Sequence, residues 1–277
     1  MEVRYLPNDI AYQRMTTGEL REAFVLEHLF EPGQIKLVYS DGDRAIVGGA
    51  IPLTGTLPLL ATQKEMAAQH FNERRELGIM NLGGEGEVGV DDKQYPLDAK
   101  DLLYVGRGAK SIVLCSRNAA MPALYYFVSF PAHTTYPTAL MRFGDAERTP
   151  LGSASGANKR TICKYVHGGG IKSCQLVMGL TQLDEGSVWN TMPPHTHQRR
   201  SEVYLYFGLD PDAMVVHLMG KPNETRNLIL RDRQVVLSPP WSIHAAAATK
   251  NYAFVWAMGG ENQDFSDMDA VAPGDIL

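Results

Sequence analysis

Cysteine is scarce, and the few that occur form no useful pattern. Cys115, Cys163 and Cys174 are the three in 277 residues. Their odd number and the lack of any C-x-x-C spacing exclude a disulfide framework or a thiolate zinc site as the organising device. They read as reduced, mostly buried thiols, and on that ground the expected compartment is the cytoplasm. The N-terminal MEVRYLPNDIAYQRM carries acidic side chains and no apolar stretch, so it does not read as a secretory signal. No apolar run reaches the roughly 20 residues that a membrane-spanning helix needs. Positive charge is not in excess either. A formal net charge of −5 gives no electrostatic reason to expect nucleic acid or an anionic membrane as a partner. Gly168, Gly169 and Gly170 do not make a phosphate loop, because no Lys-Ser/Thr and no strand–helix context follows. There is also no G-x-S-x-G elbow or other nucleophile motif.

The hydrophobic fraction of 44% and charged fraction of 21% are those of an ordinary soluble globular protein. The length suits one large or two medium domains. One early segment reads clearly as helix. Thr16 and Glu19 form a capping box, Leu20, Ala23, Phe24 and Leu26 give an apolar face, and Pro32-Gly33 ends it. A second short helix is predicted over 64–72 (KEMAAQHFN). Most of the remainder consists of short strand-like runs separated by Gly, Pro, Asn and Asp, such as 35–39, 102–105, 124–130, 203–207, 214–219 and 252–258. That rhythm predicts an all-β sandwich or barrel. Residues 149–158 (TPLGSASGAN) are rich in Gly, Ser and Pro and are the expected interdomain connection. The strand pattern looks similar on either side. We therefore expect two β-barrel domains, 1–150 without metal ligands and 151–277 with them.

The chemistry lies in the second half. His195 and His197, one residue apart, project to the same face of a strand. Glu202 follows at an odd offset of five, which on a regular strand turns it to the opposite face. A bulge or turn at 198–201 is required to bring the carboxylate inward. Downstream, Ser238-Pro239-Pro240-Trp241-Ser242-Ile243-His244 is a rigid turn that delivers another histidine to the start of a strand. Three imidazoles and one carboxylate suit a divalent ion such as Zn²⁺, Mn²⁺ or Fe²⁺ and leave positions for water or substrate.

These two segments carry the two-motif pattern of the cupin superfamily, H-x-H-x(3,4)-E-x(5,6)-G and P-x-x-x-x-H, the latter present as Pro239 to His244. The resemblance implies a β-barrel (jelly roll) with the metal inside. The long stretch between Gly186 and His195 departs from the common pattern and bears on the loop at the mouth. At closer range, VWNTMPPHTH (188–197), Arg199-Arg200, EVYLYF (202–207), SPPWSIH (238–244) and MGGEN (258–262) resemble the 5-keto-4-deoxyuronate isomerase family. DRAIVGGA (43–50) and PAHTTYP (131–137) in the first half do so as well. The likeness runs nearly end to end and includes strings that no metal requires. It implies a ketol-isomerase interconverting 4-deoxy-L-threo-5-hexosulose uronate and 3-deoxy-D-glycero-2,5-hexodiulosonate in pectin breakdown, with one zinc per chain and a hexameric assembly.

Such a step needs a carbonyl and its neighbouring hydroxyl polarised together so that the carbon-bound proton becomes acidic, and a metal with open positions supplies that as a Lewis acid. A base must then carry the proton between adjacent carbons. The candidates are Glu202, which could serve as ligand and base, and Tyr204 and Tyr206, which share its face at i+2 and i+4. For both tyrosines, core packing with one hydroxyl hydrogen bond is the competing reading. An anionic substrate calls for a cation, and Arg199, Arg200, Arg160 and Lys172 are the candidates, each also readable as a solvated surface residue. His133 reads as structural or as lining an interface, and His217 as a hydrogen-bonded, half-buried histidine. His28, His70 and His167 belong to no constellation, and Trp241 is expected to pack beneath the His244 turn. Two other readings use the same residues. One is a cupin Fe²⁺ dioxygenase, and the other is a non-enzymatic sugar-binding double cupin with a structural metal.

Overall fold

The computed structural model describes residues 1–264 and 266–277. Among these the chain is built of strands with two α-helices and a few 3₁₀ turns, and it divides into two compact units. The first comprises Met1–Arg4, His28–Ala146 and Tyr165–Val177; the second comprises Tyr5–Glu27, Glu147–Lys164 and Met178–Leu277. These limits differ from a single cut at residue 150, because an N-terminal segment belongs with the C-terminal strands and a later segment with the N-terminal ones.

Each unit holds one seven-stranded and one four-stranded sheet among the described residues. In the first unit the larger sheet runs Glu2–Arg4, Ile35–Ser40, Ile46–Ala50, Tyr125–Pro131, Arg75–Asn81, Leu102–Val105, Ala139–Met141. Its central strands Tyr125–Pro131 and Arg75–Asn81 are buried along nearly their whole length, the second with Arg75, Glu76 and Asn81 as hydrogen-bonded polar residues at its two ends. Leu77, Ile79 and Phe127 from this sheet meet Val88, Ile112 and Leu114 from the smaller one in a single apolar core. A Cβ at Gly48 would stand 2.0 Å from the Phe127 ring, so the ring takes the space the missing side chain leaves.

The second unit repeats the plan. Its larger sheet runs Glu147–Leu151, Arg160–Val166, Val177–Leu183, Ala253–Gly260, Arg200–Phe207, Val235–Ser238, Val25–Leu26, and the smaller one Trp189–Asn190, Ala245–Ala248, Val215–Lys221, Glu224–Leu230. The central strand Arg200–Phe207 pairs with Ala253–Gly260 along its whole length. This strand carries Glu202 and the two candidate tyrosines.

Three local expectations change. The helix Thr17–Phe24 forms with both halves of the capping box, Thr16 N–H donating to Glu19 Oε2 at 2.7 Å and Glu19 N–H to Thr16 Oγ1 at 3.4 Å. It ends at Val25 rather than at Pro32-Gly33, because Val25 and Leu26 are drawn into the sheet opposite Val236 and Val235. The second helix is one turn, Gln63–Met66, stopped by Ala67 in the left-handed region at φ 49°. The Gly/Ser/Pro-rich stretch 149–158 is not an interdomain connection. Glu147–Leu151 pairs antiparallel with Arg160–Val166, so the stretch is the end of one strand and a hairpin turn, using Gly152 at φ 79° and Ala157 at φ 48°.

Candidate metal centre

Strand parity makes a definite demand at Glu202, and the backbone meets it. The short strand His195–Thr196 is followed by a turn at Gln198 and Arg199, and pairing resumes at Arg200. The break is two residues shorter than the expected 198–201, since Arg200 and Ser201 already pair with Gly260 and Gly259. Beyond the break Glu202 lies opposite Ser238 and Met258, on the same face as the two imidazoles. His244 arrives from the turn at 239–242, closed by Ser242 N–H donating to the Pro239 carbonyl at 3.0 Å. Ile243 N–H donates to the Gly220 carbonyl at 2.9 Å, and Gly220 N–H to Ser242 Oγ at 2.8 Å, which fixes the turn against the neighbouring strand. Trp241 does pack at this turn, stacking on Tyr12 with ring centroids 4.6 Å apart and meeting Phe24 edge-on at 6.3 Å.

The four side chains converge. Their candidate ligand atoms all lie within 4.8 Å of one another. Nε2 of His195 is 3.0 Å from Nε2 of His197 and 3.0 Å from Nε2 of His244. Glu202 Oε1 is 2.8 Å from His197 Nε2 and 3.8 Å from His244 Nε2. Nitrogen ligands about 2.1 Å from one ion stand about 3.0–3.4 Å apart at adjacent positions, so these separations fit a shared ion. The tautomer at His197 agrees. Its Nδ1 lies 2.6 Å from the Asp267 carbonyl oxygen, which can only accept, so Nδ1 carries the proton and Nε2 offers a lone pair. That lone pair faces a carboxylate oxygen, an arrangement that is repulsive without a cation or a proton between them.

Burial lowers His195 to about 3, assisted by His244, and lowers His244 to about 4 against the opposing pull of Glu202. Both rings are therefore neutral near pH 7, the state a metal requires. Burial pushes the Glu202 carboxyl up, but His244 and the His197 contact, when the ring cluster carries a proton, pull it further down, and the net direction is downward. Glu202 is a carboxylate with 5% of its surface exposed. Among the described residues, this is where three imidazole nitrogens and one carboxylate oxygen meet.

A cavity of about 240 Å³ opens over this group. Its walls include Leu151, Pro193, Phe254, Trp256, Met258 and Met268, and its polar lining includes Arg160, Thr181, Thr191 and Tyr204. Trp256 Nε1 donates to Thr181 Oγ1 at 3.1 Å. The long stretch before His195 supplies Thr191, at φ 48°, and Pro193 to the rim.

The other candidates separate sharply. Tyr204 lines the cavity, and burial, with Glu202 beside it, holds its phenol well above the ordinary value. Tyr206 shares the face but lies deeper and does not line the cavity; its hydroxyl sits 2.7 Å from Nδ1 of His217. His217 is fully buried rather than half-buried. Of the four cations, Arg160 alone lines the cavity. Arg199 is spent on Asp267 and Asp269, its Nε 2.7 Å from Asp267 Oδ1. Arg200 is 1% exposed and donates to the carbonyls of Asp264 at 2.5 Å and Asp267 at 3.1 Å. The break at 198–199 thus turns both arginines toward this acidic segment instead of the pocket. Lys172 belongs to the first unit and donates to the Gly168 carbonyl. His133 is exposed, its carbonyl accepting from Arg107. Sequence reasoning missed Thr181, Thr191 and the Asp267 segment. For the last, the acidic residues Asp264, Asp267 and Asp269 downstream of two adjacent arginines were the available signal.

The sequence profile of the KduI/IolB family matches residues 29–272. The chain belongs to the KduI/IolB family. Over 271 residues, 98% of each chain, it is 51% identical to the 4-deoxy-L-threo-5-hexosulose-uronate ketol-isomerase of Caldicellulosiruptor bescii. It is 50% identical over 276 residues, the full length of both, to the protein of that name from Opitutus terrae. Among solved structures, an IolB-like protein from Salmonella typhimurium matches with a TM-score of 0.73 at 12% identity, covering 90% of this chain and 96% of that one. Bacillus subtilis oxalate decarboxylase matches with a TM-score of 0.59 at 12% identity, covering 87% and 76%. At such identities these neighbours speak for the fold, and it is the all-β, cupin-like class read from the sequence. In this KduI/IolB family member no helix among the described residues is long and apolar enough to cross a membrane.

Proposed function

We propose that the protein is a metal-dependent ketol-isomerase, an intramolecular oxidoreductase, that interconverts 4-deoxy-L-threo-5-hexosulose uronate and 3-deoxy-D-glycero-2,5-hexodiulosonate in the breakdown of pectin-derived uronates. The observation that carries this reading is the 51% identity over 98% of both chains to a relative of that name. The site supports it independently. His195, His197, Glu202 and His244 are the proposed ligands of one zinc per chain, and they sit under a cavity suited in size to a single small sugar acid. The oxalate decarboxylase neighbour has Mn(II) centres, which agrees with a metal-holding fold. A divalent ion bound here would act as a Lewis acid on a carbonyl and its adjacent hydroxyl.

The chain's own groups divide the remaining work. Arg160 is the cation of the pocket, partly buried and held by its Nη1 donating to the Asn158 carbonyl at 2.9 Å. It makes no ion pair among the described residues, and we assign it the substrate carboxylate. Tyr204 keeps its phenolic proton and donates a hydrogen bond from Oη to a substrate oxygen. Glu202, held as a carboxylate, takes the carbon-bound proton and returns it to the neighbouring carbon. The apolar side chains of Phe254, Trp256, Met258 and Met268 exclude water around the transfer. Tyr206 is left to structure. Family resemblance further leads us to propose a hexamer, and the low, odd number of cysteines without C-x-x-C spacing a cytoplasmic location.

The test is incubation of the purified protein with the unsaturated uronate released by a pectate lyase. We expect ketose formation with solvent-proton exchange at the carbon beside the carbonyl, by protein containing one zinc per chain. Stoichiometric iron with substrate-dependent oxygen uptake would overturn this in favour of an oxygenase. Saturable binding without exchange would make the protein a sugar binder. Sedimentation of the same preparation tests the hexamer.

A further inference from the structure

Residues 267–271 run alongside the short strand His195–Thr196, which bears one of the four clustered side chains and leads directly into a second, His197. Ala270 and Asp269 pair antiparallel with His195 and Thr196, and Val271 N–H donates to the Pro194 carbonyl at 3.0 Å. Asp267 is the centre of this contact. Its carbonyl oxygen accepts from His197 Nδ1 at 2.6 Å and from Arg200 Nη2 at 3.1 Å. Its carboxylate takes Arg199 in a bidentate arrangement, Nε reaching Oδ1 at 2.7 Å and Oδ2 at 2.9 Å, while Asn262 Nδ2 donates to Oδ2 at 2.6 Å. The side chain is 12% exposed and its Arg199 partner 39%. The next residue, Met268, lines the cavity.

A backbone carbonyl can hold an imidazole only if its own peptide is held. At Asp267 the same residue supplies both the carbonyl and the carboxylate that fixes it. The adjacent arginines, Arg199 in the break and Arg200 at the first residue of the strand beyond it, are the two groups that clamp it. Arg199 fixes the side chain and Arg200 the carbonyl.

We propose that Asp267 is a positioning residue for the metal centre, and that its pairing with Arg199 locks His197 in the ring orientation and tautomer that present Nε2 to the ion. This rests on the metal site proposed for these four ligands. Outer-shell partners of metal-bound histidines carry about 10–100-fold in metal affinity, and that range is the expected effect. The side chain acts through the backbone, so Asn at 267, whose amide oxygen still accepts from Arg199 Nε, retains part of the function, whereas Ala loses it.

The test is zinc affinity of the full chain stripped of metal, by competition with a chromophoric chelator, together with the melting temperature of each metal-free protein. Asp267→Ala and Arg199→Gln are expected to weaken zinc about 10–100-fold with metal-free melting temperatures close to that of the parent. The double variant is expected to match either single one, since the pair acts as a unit, and Asp267→Asn should fall between parent and Asp267→Ala. Asp210→Ala, which breaks the exposed contact with Lys250 at 2.7 Å, should leave zinc affinity unchanged. Parent-like affinity in both Asp267→Ala and Arg199→Gln overturns the proposal, as does additive loss in the double variant. If the parent chain itself takes up no zinc, the metal reading falls and takes this one with it. Should Asp267→Ala fail to fold, the Arg199→Gln and Asp267→Asn titrations decide.

Discussion

The Nε2 atoms of His195 and His244 stand 3.0 Å apart with their rings at 85° to each other. The two residues enter from different parts of the second unit's framework, one from a short strand paired with the C-terminal segment and the other from the turn at 239–242. Two neutral imidazoles gain little from facing each other, whereas a shared ion gains from both. His244→Ala is therefore expected to lower bound metal from one per chain to well below it, and to reduce isomerase turnover by at least about 100-fold, the scale of losing a Lewis-acid contribution of several kcal/mol. Added zinc should raise the melting temperature of the parent by ligand linkage and leave the variant unmoved. Metal analysis and paired melts check this; a variant that loses its metal and keeps full turnover refutes the mechanism.

Arg160 sets the second expectation. A half-buried guanidinium with no carboxylate partner carries a desolvation penalty that an anionic ligand offsets. Burial accordingly lowers its pKa. Charge-assisted hydrogen bonds contribute about 1.5–3 kcal/mol, so Arg160→Gln should raise KM about 10–100-fold with a much smaller change in kcat. Arg160→Lys should recover part of this, since an ammonium supplies the charge without the planar fork. Steady-state kinetics on the uronate decide between the two parameters. A fall in kcat at unchanged KM would remove Arg160 from carboxylate binding.

Periodicity and spacing carried the sequence reading as far as geometry is local. Glu202 is the clearest instance, because strand parity alone required a break before it, and the turn at 198–199 is that break. The capping box at Thr16 was equally legible, being satisfied within four residues of chain. What the sequence did not disclose was partnership across long separations. Val25 and Leu26 continue a helical pattern locally, yet the edge of a distant strand claims them. Arg199 and Arg200 sit beside the ligands in sequence, yet Asp267 and Asp264 take both. The Gly/Ser/Pro content of 149–158 marks a turn, but composition cannot distinguish a hairpin from a linker, and the pairing of 147–151 with 160–164 is what decides. Among Arg160, Arg199, Arg200 and Lys172 the choice was open for the same reason: which cation faces a cavity depends on who else competes for it.

Gly179 tests the wall of the pocket. A Cβ there would lie 2.1 Å from Cζ2 of Trp256 and 2.6 Å from the Cys163 carbonyl oxygen. The carbonyl belongs to the neighbouring strand and cannot move cheaply, so the indole must. Gly179→Ala is expected to destabilise the fold by about 1–3 kcal/mol, the range for overpacking, and to displace the Trp256 Nε1–Thr181 Oγ1 bond. Chemical denaturation gives the first quantity. Since Trp256 and Thr181 both line the cavity, a rise in KM should accompany it. An unchanged KM in a destabilised variant would separate this wall from substrate binding.

His217 supplies a pH dependence that is independent of the metal. The ring is fully buried, burial lowers it to about 3, and its Nδ1 contacts the Tyr206 hydroxyl at 2.7 Å. An unfolded histidine titrates near 6.5. A folded value below the unfolded one means that the contribution to stability is fully present above about pH 6.5 and is lost as pH falls toward the folded value, because the unfolded chain then binds the extra proton. The loss amounts to about 1.4 kcal/mol for each pH unit in that window. His217→Asn places a neutral carbonyl oxygen near the position of Nδ1 and cannot take up that proton. Urea denaturation of the metal-free protein between pH 7.5 and 4.5 should therefore show a lower plateau for the variant, from the smaller side chain, and an acid limb shallower by close to one proton. His195 titrates in both proteins and cancels in the comparison, and His244 differs between them only through the charge of a protonated His217, which lowers it in the parent. Acid limbs of equal slope would mean that His217 accepts its proton without leaving the folded state, and that the Tyr206 contact does not hold it neutral.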